Sequence, residues 1–229
     1  MTKKDVDAYA FEIKMLHYNI AALPAYHPDV ESLENTLSGK LKKWADLVNI
    51  VVFAASNEQE PFTEEELGLP IRPMHLKSDS GFRQVADYLF QVNGTWGSLA
   101  IERKGVTREN GLMIGCDIYS SLFNKSNRER FKKEYLRFQA DSRLDMFKVL
   151  CECSYGEFLS FTPPFNGKKR NVNHIGASVN SRVGSVAHFE DEGCHFIWAG
   201  NRERAVELYR SMIRHWVIRN YKQILKIEV

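Results

Sequence analysis

The run Leu99-Ala100-Ile101-Glu102-Arg103-Lys104 sets three consecutive charges directly after three apolar residues. That junction constrains the fold more than any other feature of the chain. If the run is a strand, its period of two sends Glu102 and Lys104 to one face. Asn93-Gly94 lies just upstream, and that dipeptide is a strong two-residue hairpin signal. A hairpin there folds the preceding segment, Val85-Ala86-Asp87-Tyr88-Leu89, back along the charged run. Asp87 then meets Glu102 across the hairpin, with Lys104 alongside. Hard carboxylate oxygens suit Mg²⁺, and a nearby ammonium can orient or activate a water and stabilise charge on a phosphate. On spacing alone, an Asp, a Glu and a Lys around a hairpin are more often a solvated cross-strand ion pair.

The rest of the chain alternates strand and helix patterns. Val6, Tyr9, Ile13, Leu16 and Ile20 have helical spacing, broken by Pro24 and Pro28. Asp29 can cap a second helix that carries Val30, Leu33, Leu37, Leu41 and Trp44 on one face. This pair either covers a sheet or binds a partner, and covering is the commoner use. Residues 48–55 form an apolar-rich block that suits a buried strand, and Thr63-x-x-Glu66 is a capping box. A strand is expected over 71–76, a hairpin over strands 84–90 and 97–104, and a polar, glycine-containing loop over 105–115. Helices are expected over 117–123 and after a capping box at Ser126-x-x-Glu129, with Phe131, Tyr135 and Phe138 facing inward. Strands follow at 146–153 and 194–199, a helical stretch at 172–189, and a final helix capped by Asn201. This order predicts an α/β layered domain.

The composition permits a packed core: 229 residues, 44% hydrophobic and 12% aromatic. Net charge is only +2, so affinity for nucleic acid has to come from local patches. Two are visible. One is the helix bearing Arg128, Arg130, Lys132, Lys133 and Arg137, whose interspersed acids also fit a solvated face with i,i+4 pairs. The other is Lys168-Lys169-Arg170, a loop suited to phosphate contacts or to no partner at all. Cys116, Cys151, Cys153 and Cys194 lack zinc-site spacing and read as buried thiols. His174, His188 and His195 show no ligand spacing either. The N-terminus has no apolar leader, and no run approaches a membrane span. The expectation is a soluble cytoplasmic protein without an organic cofactor.

Asp87-Tyr88, Glu102-Arg103-Lys104 and Asp117-Ile118-Tyr119-Ser120-Ser121-Leu122 together resemble the signature of the XPF/ERCC4-type nuclease domain. That signature runs Gly-Asp-Tyr, a spacer, Glu-Arg-Lys, then an Asp opening a helix. Ser56-Asn57-Glu58-Gln59-Glu60-Pro61-Phe62 resembles the family's first motif, Asp-Thr-Arg-Glu-Gln-x-Pro. Arg130-Phe131-Lys132-Lys133-Glu134 resembles its Arg-x-x-x-Gln helix, and Cys151-Glu152 falls where the family ends an apolar strand in Glu-Gly. The resemblance covers roughly residues 48 to 220. Departures are Ala55 for the first-motif Asp, Asn57 for its Arg, Ala86 for the Gly before Asp87, and the insertion before Asp117.

The resemblance implies a restriction-endonuclease-like central mixed sheet flanked by helices over 48–229, with residues 1–47 as a helical extension. It implies a metal-dependent endonuclease acting on DNA, at branched or otherwise structured sites. Asp87 and Glu102 would hold Mg²⁺ or Mn²⁺, with Lys104 completing the catalytic set. Glu58 and Asp117 would be outer or second-metal ligands. Arg103, Arg130, Lys168, Lys169 and Arg170 are candidate DNA contacts. The alternatives are a non-catalytic scaffold of the same fold or a junction resolvase of related fold. Nucleases of this kind commonly pair through C-terminal helices. The apolar stripe Ala205, Leu208, Tyr209, Met212, Ile213 and Trp216, extended by Val217, Ile218, Ile224 and Leu225, therefore suggests a homodimer through residues 201–225; the alternative is that these residues pack against the N-terminal helices of the same chain.

Overall fold

The computed structural model describes residues 3–56, 58, 60–74, 85–163 and 177–228. At its centre is a mixed sheet built from β1 (Ile50–Ala55), β2 (Ile71–Met74), β3 (Tyr88–Val92), β4 (Thr95–Trp96), β5 (Leu99–Lys104), β8 (Met146–Cys151) and β9 (Cys194–Trp198). The order is β2-β1-β3-β5-β8-β9, with β4 paired to β3 alone. β3 runs antiparallel to β1 and β5, whereas β5, β8 and β9 are parallel neighbours. Every residue of β5 is buried. A strand buried on both faces needs an apolar run, and Leu99-Ala100-Ile101 supplies one for its first half only.

Helices cover both faces of the sheet. α1 (Lys3–Ala21), α2 (Val30–Ala45), α8 (Arg202–Arg219) and α9 (Tyr221–Leu225) share a core with Leu99 and Ile101. Trp44 of α2 and Trp216 of α8 are nearly inaccessible there, and the Trp216 ring meets Phe90 edge-on. The opposite core holds α4 (Asp117–Phe123), α5 (Lys125–Gln139), α6 (Tyr155–Ser160) and α7 (Val179–Asp191) around Ala100, Phe147 and Val149. Short α3 (Glu64–Leu67) starts at the capping box read from Thr63 and Glu66, and both of its reciprocal hydrogen bonds form.

Ile13 is fully buried against the shared core, so α1 and α2 are integral to it. The same packing takes up the apolar C-terminal residues. Tyr209, Ile213, Trp216, Val217, Ile224 and Leu225 are buried within the chain, while Leu208, Met212 and Ile218 are partly buried.

Three local expectations need correction. Residues 105–115 are not a loop but hold the hairpin of β6 (Val106–Glu109) and β7 (Leu112–Cys116). Its turn, Asn110-Gly111, has the same pair of positive φ angles as Asn93-Gly94, the signature of a type I′ turn. β6 is largely exposed, so it lacks the apolar alternation by which a half-buried strand is recognised. α5 is capped by Asn124, whose side chain accepts from the Ser126 and Asn127 amides, rather than by Ser126. Asp29 stands at the N-cap of α2 but makes no side-chain capping bond. The segments holding Lys168, Lys169, Arg170 and His174, and part of the expected strand at 71–76, lie outside the described residues.

Candidate functional site

The site forms where the apolar half of β5 ends. Tyr88 pairs with Ile101, which sets Asp87, just before β3, opposite Glu102. The Arg103 amide donates to Asp87 Oδ2 at 2.8 Å, and the Ala55 amide donates to the Asp87 carbonyl at 2.7 Å. Asp87 is thus held by the ends of two neighbouring strands. Glu102 and Lys104 share a face, and Lys104 Nζ donates to Glu102 Oε1 at 2.5 Å. Both side chains are only 4% exposed. The ammonium also lies 5.2 Å from the centre of the Phe131 ring of α5.

Arg103 points to the other face. Its Nε donates to Glu152 Oε1 at 2.7 Å and its Nη1 to Glu58 Oε1 at 2.8 Å. Glu152 directly follows β8, and its amide donates to the Lys104 carbonyl. Arg202, at the start of α8, adds a second guanidinium 3.5 Å from Glu152 and bonds Glu66 at 2.6 Å. Arg103 is 4% exposed and paired with Glu58 and Glu152, and it lines the floor of the same cavity. Glu58 is held from below by Arg103, and its segment is fastened to β3 by the Phe62 amide, which donates to the Tyr88 hydroxyl at 2.9 Å.

Asp117 reaches the site through the β6–β7 hairpin. Its amide donates to the Gly105 carbonyl at 3.1 Å. A Cβ on Gly105 would stand 3.3 Å from Asp117 Oδ2 and 3.2 Å from Arg103 Nη2. Close approach of these two groups to the backbone therefore favours glycine there. The insertion that separates Lys104 from Asp117 in sequence folds back on itself and returns Asp117 to the mouth of the site.

These groups line a cavity of about 270 Å³ that also takes in Ser120, Asn127, Arg130 and Glu134. Arg130 is 65% exposed, at the rim. Glu134 of α5 is buried, and among the described residues no group hydrogen-bonds its Oε2. In the sequence it stands as one of the acids balancing a basic helix and at the Gln position of the Arg-x-x-x-Gln resemblance, with no site role assigned. Its position three residues after buried Phe131 and one before buried Tyr135 could have shown that it faces inward. A larger hollow beside α2, lined by Pro28, Glu31 and Ser32 among others, is open surface and contains none of these groups.

Burial, and then the charge of Glu102, push the Asp87 carboxyl well above the usual carboxylate range. The same two causes raise Glu134. Burial works against the Lys104 charge, but Glu102 and Asp87 beside it hold the ammonium protonated beyond the ordinary lysine range. On the other face, the hydrogen bond from Arg202 draws Glu66 down to about 2.

The donor chemistry fits a hard divalent cation: several carboxylates, no competing thiol or imidazole in the lining, and one buried carboxylate oxygen without a partner. Among the described residues no three carboxylate, imidazole or thiol groups stand close enough to chelate an ion as the side chains lie, and Lys104 is the counter-charge seated on Glu102. The four cysteines are free and buried. His188 faces Glu192 on an exposed helix end, and His195 is exposed on β9, so neither is part of the site. No helix among the described residues is long and apolar enough to cross a membrane.

No family model matches the chain, and no curated protein matches it. Among solved structures it is similar to XPF from Aeropyrum pernix, at 17% identity over 75% of this chain and 69% of that one, with a TM-score of 0.39. At that level of similarity, function has to be argued from the chemistry of the site.

Proposed function

We propose that this protein is a metal-dependent endonuclease of the XPF/ERCC4 type, with a restriction-endonuclease-like sheet, that hydrolyses phosphodiester bonds in branched or structured DNA. The observation that carries the proposal is the charge imbalance on one face of β5. Asp87, Glu102 and Glu134 gather around one buried ammonium, Lys104, in a concave pocket with Arg130 exposed at its rim. Burying carboxylates without matching cations is costly. A structural ion pair has no use for that arrangement, and a cation site does.

In this reading Asp87 and Glu102 hold Mg²⁺ or Mn²⁺, and Glu58 and Asp117 approach the same pocket from the ends of β1 and β7. The ion, when bound, polarises a phosphoryl oxygen and lowers the pKa of a bound water. Lys104 keeps its proton and supplies positive charge where negative charge develops on the phosphate. Arg103 has a positioning role, fixing Glu58 from the opposite face. Arg130 at the rim is placed for a backbone phosphate, which Arg and Lys bind without reading sequence. Lys168, Lys169 and Arg170 are proposed phosphate contacts on sequence grounds alone. Residues 48–229 carry this chemistry and residues 1–47 cover their sheet.

Cleavage of labelled flap, fork, junction and duplex DNAs in Mg²⁺, Mn²⁺ or EDTA tests the proposal. Metal-dependent cutting, strongest on a branched substrate, is the expected result. Binding without cutting in every metal favours the scaffold alternative. Cutting confined to four-way junctions favours the resolvase.

A further inference from the structure

Glu134 is the group in the pocket that the charged motif of β5 leaves unexplained. It sits on the inward stripe of α5, between Phe131 and Tyr135 and one turn before Phe138, all buried. An apolar residue at that position would fill the same space without desolvating a charge. Instead the position holds a glutamate that is 9% exposed as a residue and 12% exposed in its side chain. Its Oε2 has no hydrogen-bond partner among the described residues, and the side chain lines the cavity that holds Asp87 and Glu102. Lys104 shares the pocket with it, and Arg130 stands 3.8 Å from the other oxygen on an exposed side chain. That distance is outside hydrogen-bond range, and an exposed charge compensates a buried one weakly. A buried acceptor left unpaired costs about 1–3 kcal/mol, and more when charged.

We propose that Glu134 is a further ligand for the divalent cation, reaching it through Oε2. This rests on the cation-dependent reading of the pocket. Glu102 is the electrostatic neighbour that Asp87 and Glu134 have in common, and all three line one cavity, so an ion held by Glu102 would have a carboxylate from the sheet and one from the helix near it. Coordination from α5 would also tie that helix to the sheet edge when the ion is present. Oxygen ligands on separate elements suit Mg²⁺ and Mn²⁺, which accept a few carboxylates and keep water in the remaining positions.

The test is calorimetric titration of Mn²⁺ alone into the full-length protein, without DNA, for wild type, Asp87→Asn and Glu134→Gln. Wild type is expected to bind, and both variants are expected to bind at least about tenfold more weakly, the scale on which loss of a group supporting a metal acts. If wild type and Asp87→Asn behave so but Glu134→Gln binds as wild type, Glu134 is a tolerated buried acid and this inference is overturned while the nuclease reading stands. If wild type takes up no Mn²⁺, the reading beneath it falls as well. Melting in EDTA establishes that Glu134→Gln is folded. If it is not, Glu134→Asp is titrated in its place. Its shorter side chain withdraws Oε2, so wild-type affinity in that variant also overturns the inference.

Discussion

The two faces of β5 solve the same problem in opposite ways. Arg103 and its neighbours Glu102 and Lys104 are equally deep, yet on the Arg103 face Glu58, Glu152 and Glu66 each lie within 2.9 Å of a guanidinium nitrogen. On the other face Asp87, Glu102 and Glu134 share one lysine, and one Glu134 oxygen has no partner among the described residues. The first arrangement is complete and can only be damaged by substitution. The second has spare negative charge, and an added cation improves it. Burial alone therefore does not distinguish a scaffold from a site. The count of partners does.

The largest expected effect follows from removing the spare charge. Glu102→Gln and Asp87→Asn should each lower metal-dependent cleavage by at least about 10²–10³-fold, the scale of losing a main electrostatic contributor. Their melting temperatures in EDTA should equal or exceed that of wild type, because like charges are relieved. A variant that cuts normally breaks the comparison at once.

Next in size is damage to the complete face. Arg103→Met leaves Glu58 and Glu152 buried without their shared guanidinium, and breaking such a buried pair costs about 3–5 kcal/mol. Urea unfolding measures it. A loss under about 1 kcal/mol would show that Arg103 is no keystone.

The rim is expected to matter less. Arg130→Ala should weaken DNA binding evenly across sequences and reduce the salt slope by about one unit, with cleavage chemistry at saturating DNA little changed. An unchanged slope in filter binding or fluorescence anisotropy would take Arg130 off the interface.

The smallest effect is the opposite pH response of the two faces. Asp87 is raised by burial and by Glu102. As pH climbs from the ordinary value of about 3.9, the unfolded chain releases a proton that the native state keeps, so stability without metal falls until the raised value is passed. Glu66 is held at about 2 by Arg202. Its contribution is present above the ordinary value of about 4.3 and is lost as pH falls toward 2. Melting curves in EDTA should thus separate from wild type as pH rises above about 4, Asp87→Asn toward higher stability and Glu66→Gln toward lower. Parallel profiles would remove the contrast.

Much of this was legible in the chain. The Asn93-Gly94 turn, the period of two in Leu99–Lys104, the capping box at Thr63 and the cap at Asn201 each depend on neighbours in sequence, and each formed. The β6–β7 hairpin was missed because its residues face solvent and carry no apolar alternation. The burial of Arg103 between Glu58 and Glu152 joins segments 45 and 49 residues away, a pairing that local pattern cannot reveal. Glu134 was hidden for a related reason. On its own helix it is one acid among several basic residues, and only the packing of α5 on β5 turns it toward Glu102.

The central claim is that the unbalanced face binds a divalent cation. It is tested most directly by the melting temperature of the protein as Mn²⁺ is added to metal-free samples of wild type and Glu102→Gln. A ligand that binds only the folded state stabilises it by RT ln(1 + [L]/Kd), about 2.7 kcal/mol at a hundredfold excess over Kd. The account predicts a rise in wild type that follows this form and little or none in Glu102→Gln. No rise in wild type, or an equal rise in both proteins, would contradict it.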